Sequence, residues 1–139
     1  MNQEAIKVMN ERFGQDTILA LGTSNGDYPA IRYVDAYYEN SAFYVNTYAQ
    51  SNKMQQIRKN PKVAICADWF TARGEAVNLG YFCKAENREI ADTLRRGFAA
   101  WIDNGHNNFD DENTIILKIC LEDGVLYADG TRYDLDFRA

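Results

Sequence analysis

Apolar residues along the chain follow two rhythms, and the elements change where the rhythm changes. In residues 2–13, Ile6, Met9 and Phe13 recur at helical spacing and Gly14 follows, which predicts an amphipathic helix stopped by glycine and capping one end of a sheet. From residue 17 the period shortens to two. Residues 17–23, 30–38 and 42–47 are rich in alternating β-branched and aromatic residues, separated by the turn formers Asn25-Gly26-Asp27 and Glu39-Asn40-Ser41, so an antiparallel meander is expected. Residues 51–60 carry Met54 and Ile57 among helix formers, with Ser51 placed to start a short helix and Asn60-Pro61 to stop it.

Residues 62–69 and 74–84 resume strand character. Val63-Ala64-Ile65-Cys66-Ala67 is apolar on both faces, which predicts a strand covered on two sides and favours a closed or nearly closed barrel over an open sheet. Asn87 caps a longer helix in which Ile90, Leu94 and Phe98 recur at i, i+4 and i+8, continuing toward Trp101. After a polar loop over 103–113, residues 114–121 and 125–128 are expected to form a hairpin around Glu122-Asp123-Gly124, with residues 131–137 as a final strand. The fold class is therefore mainly β with flanking helices.

Size and charge narrow the possibilities. The 139 residues fit a single domain spanning 1–139, without repeats, linkers or low-complexity segments. A net charge of −5 argues against nucleic acid, whose binding needs a basic surface, so any anionic ligand must meet a local cluster of cations. No apolar run approaches the ~20 residues that cross a bilayer, and Met1-Asn2-Gln3-Glu4 has no signal-peptide character, so a cytoplasmic location with no membrane partner is expected. Cys66, Cys83 and Cys120 are an odd number without a CxxC spacing and read as reduced thiols packed in strands. His106 stands alone in the loop, and no metal-ligand set is visible.

Chemistry concentrates where the third strand runs into the short helix. The first N–H groups of a helix lack internal partners and sit at its positive end, so Ser51 and Lys53 there can form a phosphate site. The same residues also suit a plain cap and a solvated lysine. Arg32, set among Ile31, Tyr33 and Val34, either faces solvent or points to the same barrel end as Ser51 and Lys53. In the second case two cations and a helix terminus converge on one dianion.

Taken in order, Gly26-Asp27-Tyr28-Pro29-Ala30-Ile31-Arg32-Tyr33-Val34, Phe43-Tyr44-Val45-Asn46-Thr47, Ser51-Asn52-Lys53 and Asn60-Pro61-Lys62-Val63-Ala64 resemble the FMN-binding core of the pyridoxamine 5′-phosphate oxidase superfamily. That superfamily includes general stress protein 26 and the nitroimidazole-resistance flavoproteins. The resemblance is close over residues 17–85 and looser through the C-terminal strands. It implies an antiparallel split β-barrel, a homodimer, and FMN bound at the dimer interface. By the same resemblance Arg32, Ser51 and Lys53 hold the FMN phosphate, while Asn52 stands where many relatives carry another basic residue. Tyr44, Val45, Asn46 and Thr47 then run beside the ribityl chain and ring edge, with Tyr33 and Val34 opposite. Glu75 matches a position where the oxidases place a flavin-contacting glutamine. A carboxylate facing the ring would oppose an anionic reduced flavin, so either Glu75 turns away or the redox chemistry differs. Trp101, Phe109 and Tyr127 are candidates to reach the flavin from the second subunit.

The resemblance implies an FMN-dependent oxidoreductase acting with a small-molecule electron donor or acceptor. Genuine pyridoxamine 5′-phosphate oxidation is not expected. Thr131-Arg132-Tyr133-Asp134 lacks the histidine of the oxidases' C-terminal Arg-x-His, and Tyr37 or its neighbours replace an expected lysine. The alternatives are a non-catalytic module that binds or senses flavin, haem or a deazaflavin, or a member that has lost cofactor binding.

Overall fold

The computed structural model describes residues 1–139. The chain runs α1 (Gln3–Phe13), β1 (Thr17–Ser24), β2 (Pro29–Glu39), β3 (Ala42–Tyr48), α2 (Asn52–Lys59), β4 (Lys62–Ala67), β5 (Phe70–Tyr81), a 3-10 turn at Ala85–Asn87, α3 (Arg88–Gly97), β6 (Thr114–Ala128) and β7 (Thr131–Asp136). All strand pairings are antiparallel, in the order β3-β2-β1-β4-β5-β6-β7, and β3 also pairs with β6. That last pairing closes β1–β6 into a six-stranded barrel. β7 continues the line of β3, since β3 occupies one edge of β6 from Thr114 to Cys120 and β7 takes the same edge from Asp123 to Ala128.

The barrel is filled by the inward half of each alternation. Leu19 and Leu21 of β1, Phe43 and Val45 of β3, Val63 and Ile65 of β4 and Leu117 and Ile119 of β6 are all buried. Helix α1 plugs one end: Phe13 meets the edges or faces of Phe43 and Phe70 at centroid distances of 5.7 and 5.3 Å. Each buried Phe contributes roughly 1.5–3 kcal/mol of transfer free energy. The buried face of α1 is Ala5, Met9 and Phe13, whereas Ile6 is exposed. A second, smaller core lies outside the barrel, where Ala91, Leu94 and Phe98 of α3 pack with Phe82, Ile102 and Ile116.

Two expectations about strands are corrected. Residues 114–128 form one continuous strand, so Glu122-Asp123-Gly124 is no turn. Glu122 is the extra residue of a β-bulge, because Arg73 faces Asp123 while Gly74 faces Leu121. The backbones approach so closely there that a Cβ on Gly74 would lie 2.4 Å from the Cys120 carbonyl oxygen. The hairpin turn comes later, at Asp129-Gly130, both at positive φ. Two-sided burial is likewise displaced. β4 is buried on one face only, leaving Ala64 and Cys66 exposed, and it is β6 that is covered on both faces, Ile116 lying in the α3 core. An apolar run thus marked an exposed apolar face. The cysteines follow the same correction: all three are free thiols, but Cys66 and Cys83 are exposed, Cys83 lying beyond the end of β5, and Cys120 is half-buried.

Candidate functional site

Alternation along β2 turns Ile31 and Tyr33 outward and Arg32, Val34 and Ala36 inward. Arg32 is therefore half-buried at the barrel end where β1 and α2 meet. Its Nη1 donates to the Leu21 carbonyl at 3.1 Å and to Thr23 Oγ1 at 2.7 Å, and its Nη2 donates to Gln56 Oε1 at 3.2 Å. Thr23 Oγ1 in turn donates to Gln56 Oε1. Lys53 lies one turn before Gln56 on α2, and its Nζ is 3.5 Å from Ser51 Oγ. Burial first, and the Arg32 charge second, hold the Lys53 ammonium below its usual pKa, so the two cations share one neighbourhood. Burial also lowers Arg32. Neither forms an ion pair with a carboxylate. Ser51 begins α2 without capping it by its side chain, so the first-turn N–H groups have no side-chain acceptor.

The structure thus brings Arg32, Ser51 and Lys53 together, with Asn52 exposed beside them. Val34 is half-buried against the barrel core, Val45 is buried in it, and Thr47 is half-buried on the same strand. Tyr44 and Asn46 alternate to the opposite face of β3. Tyr44 packs on the α3 core with Lys118 Nζ 5.9 Å from its ring centre. Asn46 donates to Asn107 Oδ1 at 3.1 Å while its own Oδ1 is buried without a partner. Such an orphaned acceptor costs about 1–3 kcal/mol.

Other candidates lie apart in this chain. Tyr33 is 80% exposed on the outer sheet face, and Glu75 is exposed on that face, opposite Lys62. Trp101 stacks on Phe98 at 4.7 Å and donates to Asp16 Oδ2 at 3.0 Å. Phe109 packs on Phe82, and Tyr127 lies beside the exposed Trp69. A surface cleft of about 510 Å³ lies elsewhere, between β1, β4 and the β6 bulge, where Arg73 and Arg138 are paired with Asp123 and Glu122. With its arginines already neutralised, it is a poorer anion site than the Arg32–Lys53 end.

Thr23 and Gln56 were not singled out from the sequence. A signal existed: Gln56 follows Lys53 by three residues and so shares its helix face, and Thr23 is two residues from Leu21, the β1 partner of Arg32.

Behind the Trp101 contact, Asp35 sits near Asp16. Burial, then the Asp16 charge and a hydrogen bond with it, raise the Asp35 pKa above the ordinary carboxylate value. The native state therefore holds the Asp35 proton more tightly than the unfolded chain does. Ionised Asp35 penalises the fold above its folded pKa, and the penalty vanishes as pH falls below the ordinary carboxylate range. Asp35→Asn is expected to stabilise the protein at pH 7 by under about 1 kcal/mol. Urea unfolding at pH 7 and pH 3 checks this, and a gain that persists at pH 3 contradicts it.

A family model described as pyridoxamine 5′-phosphate oxidase matches residues 6–122. Among solved structures, general stress protein 26 from Bacillus anthracis superposes with a TM-score of 0.68 at 21% identity, covering 96% of this chain and 100% of that one. An FAD-binding protein from Mesorhizobium loti gives a TM-score of 0.70 at 14% identity, over 89% and 91% of the two chains. A heme-binding protein from Mycobacterium smegmatis gives 0.67 at 12% identity, over 89% of this chain and 54% of that one. No curated protein matches the sequence. At these identities the neighbours share the split-barrel fold with this chain.

Proposed function

The chain belongs to the pyridoxamine 5′-phosphate oxidase family, and from that premise we propose that it is an FMN-dependent oxidoreductase working as a homodimer, with Arg32, Ser51 and Lys53 around the FMN phosphate. The observation that carries the reading is the convergence of two half-buried cations and an uncapped helix start with no carboxylate to neutralise them. Buried charge without a counter-ion is costly, so this end of the barrel is built for an anion that arrives from outside. A phosphate monoester fits: it carries about −1.5 to −2 charges near neutral pH and accepts several charge-assisted bonds. FMN, when bound, supplies the hydride or electron transfer. The chain's own residues bind the phosphate and orient the rest of the molecule.

A homodimer is favoured by the outer sheet face. Ile31 and Tyr33 stand 73% and 80% exposed there, and Ile18 64%. A second copy covering that face would bring further residues toward the cofactor.

One observation favours a second reading, a flavin-binding module without turnover on a vitamin B6 phosphate. Arg132, nearest to the oxidases' C-terminal arginine, is tied to Asp134 at 2.9 Å on the exposed β7. Partly neutralised there, it is a poorer partner for a substrate phosphate than a free arginine.

Purified protein is expected to retain flavin bands near roughly 375 and 450 nm after FMN addition and desalting. Colourless protein after that treatment overturns the FMN assignment. A donor screen on the flavin-loaded protein then separates the two readings: rapid bleaching by a nicotinamide or another donor identifies an oxidoreductase, and retained colour with every donor identifies a binding module.

A further inference from the structure

We infer that Thr23 and Gln56 are positioning residues that fix the Arg32 guanidinium so that one bidentate fork alone faces the ligand. The inference deepens the phosphate assignment above and rests on it. Donor counting carries it. A guanidinium has five N–H donors. Both Nη1 hydrogens are taken, by the Leu21 carbonyl and Thr23 Oγ1, and one Nη2 hydrogen is taken by Gln56 Oε1. What remains is Nε–H and the second Nη2–H, which lie side by side in the guanidinium plane. That pair is a fork matched to two oxygens of one phosphate.

The holders are themselves held. Thr23 is 2% exposed, and its hydroxyl closes the triangle by donating to Gln56 Oε1 while accepting from Arg32. Gln56 is anchored by α2 one turn from Lys53, so the fork and the ammonium are fixed relative to one another. The chemistry of the holders also decides the charge. A glutamate at 56 could accept the same two hydrogen bonds but would neutralise the guanidinium, whereas the amide fixes it and leaves its full charge for the dianion.

The test compares FMN with riboflavin, which lacks the phosphate, by fluorescence titration of wild type, Thr23→Val, Thr23→Ser and Gln56→Glu. Thr23→Val is expected to weaken FMN binding about five- to tenfold and leave riboflavin binding within about twofold of wild type. Thr23→Ser keeps the hydroxyl and is expected to restore FMN affinity. Gln56→Glu keeps the geometry and is expected to lose tenfold or more in FMN affinity, roughly the value of one charge-assisted bond. A merely structural role predicts parallel losses for both flavins, and that result overturns the inference, as does unchanged FMN affinity in both Thr23→Val and Gln56→Glu. Wild-type protein that binds FMN no tighter than riboflavin overturns the phosphate assignment itself, and the positioning role with it.

Discussion

Replacing Arg32 with alanine is expected to weaken FMN binding by roughly ten- to 150-fold while leaving riboflavin binding unchanged. The range follows from about 1.5–3 kcal/mol for hydrogen bonds to charged groups, with each ~1.4 kcal/mol worth tenfold in affinity. The fork left free by Thr23 and Gln56 is the part lost. Arg32→Lys is expected to fall between wild type and alanine, because it keeps the charge and loses the planar pair of donors. The pH dependence adds a second signature. Lys53 must be charged to hold a dianion, so affinity declines as pH rises through its lowered pKa. Arg32 is the smaller of the two causes of that lowering, and burial is the larger. In Arg32→Ala the alkaline decline therefore moves to higher pH without reaching the value of a solvated lysine. Equal losses for FMN and riboflavin in a titration series would refute the assignment of Arg32 to the phosphate.

The order of elements was legible because the period of the apolar residues switches cleanly at Gly14, at Ser51 and near Asn87, and turn formers stand at the breaks. Barrel closure was legible only indirectly. The both-faces-apolar run in β4 pointed to a barrel for a reason the structure does not bear out, since Ala64 and Cys66 face outward and are exposed. Closure is made instead by β3 pairing with β6, a contact between strands about seventy residues apart that no local pattern encodes. The bulge at Glu122 escaped for a related reason: Glu-Asp-Gly is turn-like in composition, and only the close approach of Gly74 to Cys120 shows why a glycine-lined irregularity is needed mid-strand. At the site, charge and position sufficed to find Arg32 and Lys53. The neutral partners Thr23 and Gln56 carry no charge to mark them, and their positional signal, the helix face shared with Lys53 and the nearness to Leu21, acquires meaning only once register and helix phase place them against a guanidinium.

Ile31→Asp is expected to convert the proposed homodimer into a monomer, raising the dissociation constant relative to wild type by on the order of a thousandfold or more. Register explains why this one side chain has such reach. On the outer face, Ile31 lies beside Gly22 and Gly22 beside Ala64, while Tyr33 lies beside Ala20 and Ala20 beside Cys66. The result is two adjacent rows in which a large apolar side chain stands next to small ones, a relief into which a second copy can set its own Ile31 and Tyr33. A two-fold interface presents the same patch twice, so one substitution introduces two unpaired carboxylates into the buried centre, each costing several kcal/mol. The fold has no stake in Ile31, which is 73% exposed and outside the barrel core, so far-UV dichroism of the variant should match wild type. Sedimentation at micromolar concentration reads the outcome. If the variant remains a dimer, another face makes the contact and the flavin must be completed from there. If it is monomeric and also fails to retain FMN, then the partner subunit supplies part of the cofactor's contacts, and the Arg32–Lys53 end is the half of the site that a single chain can build.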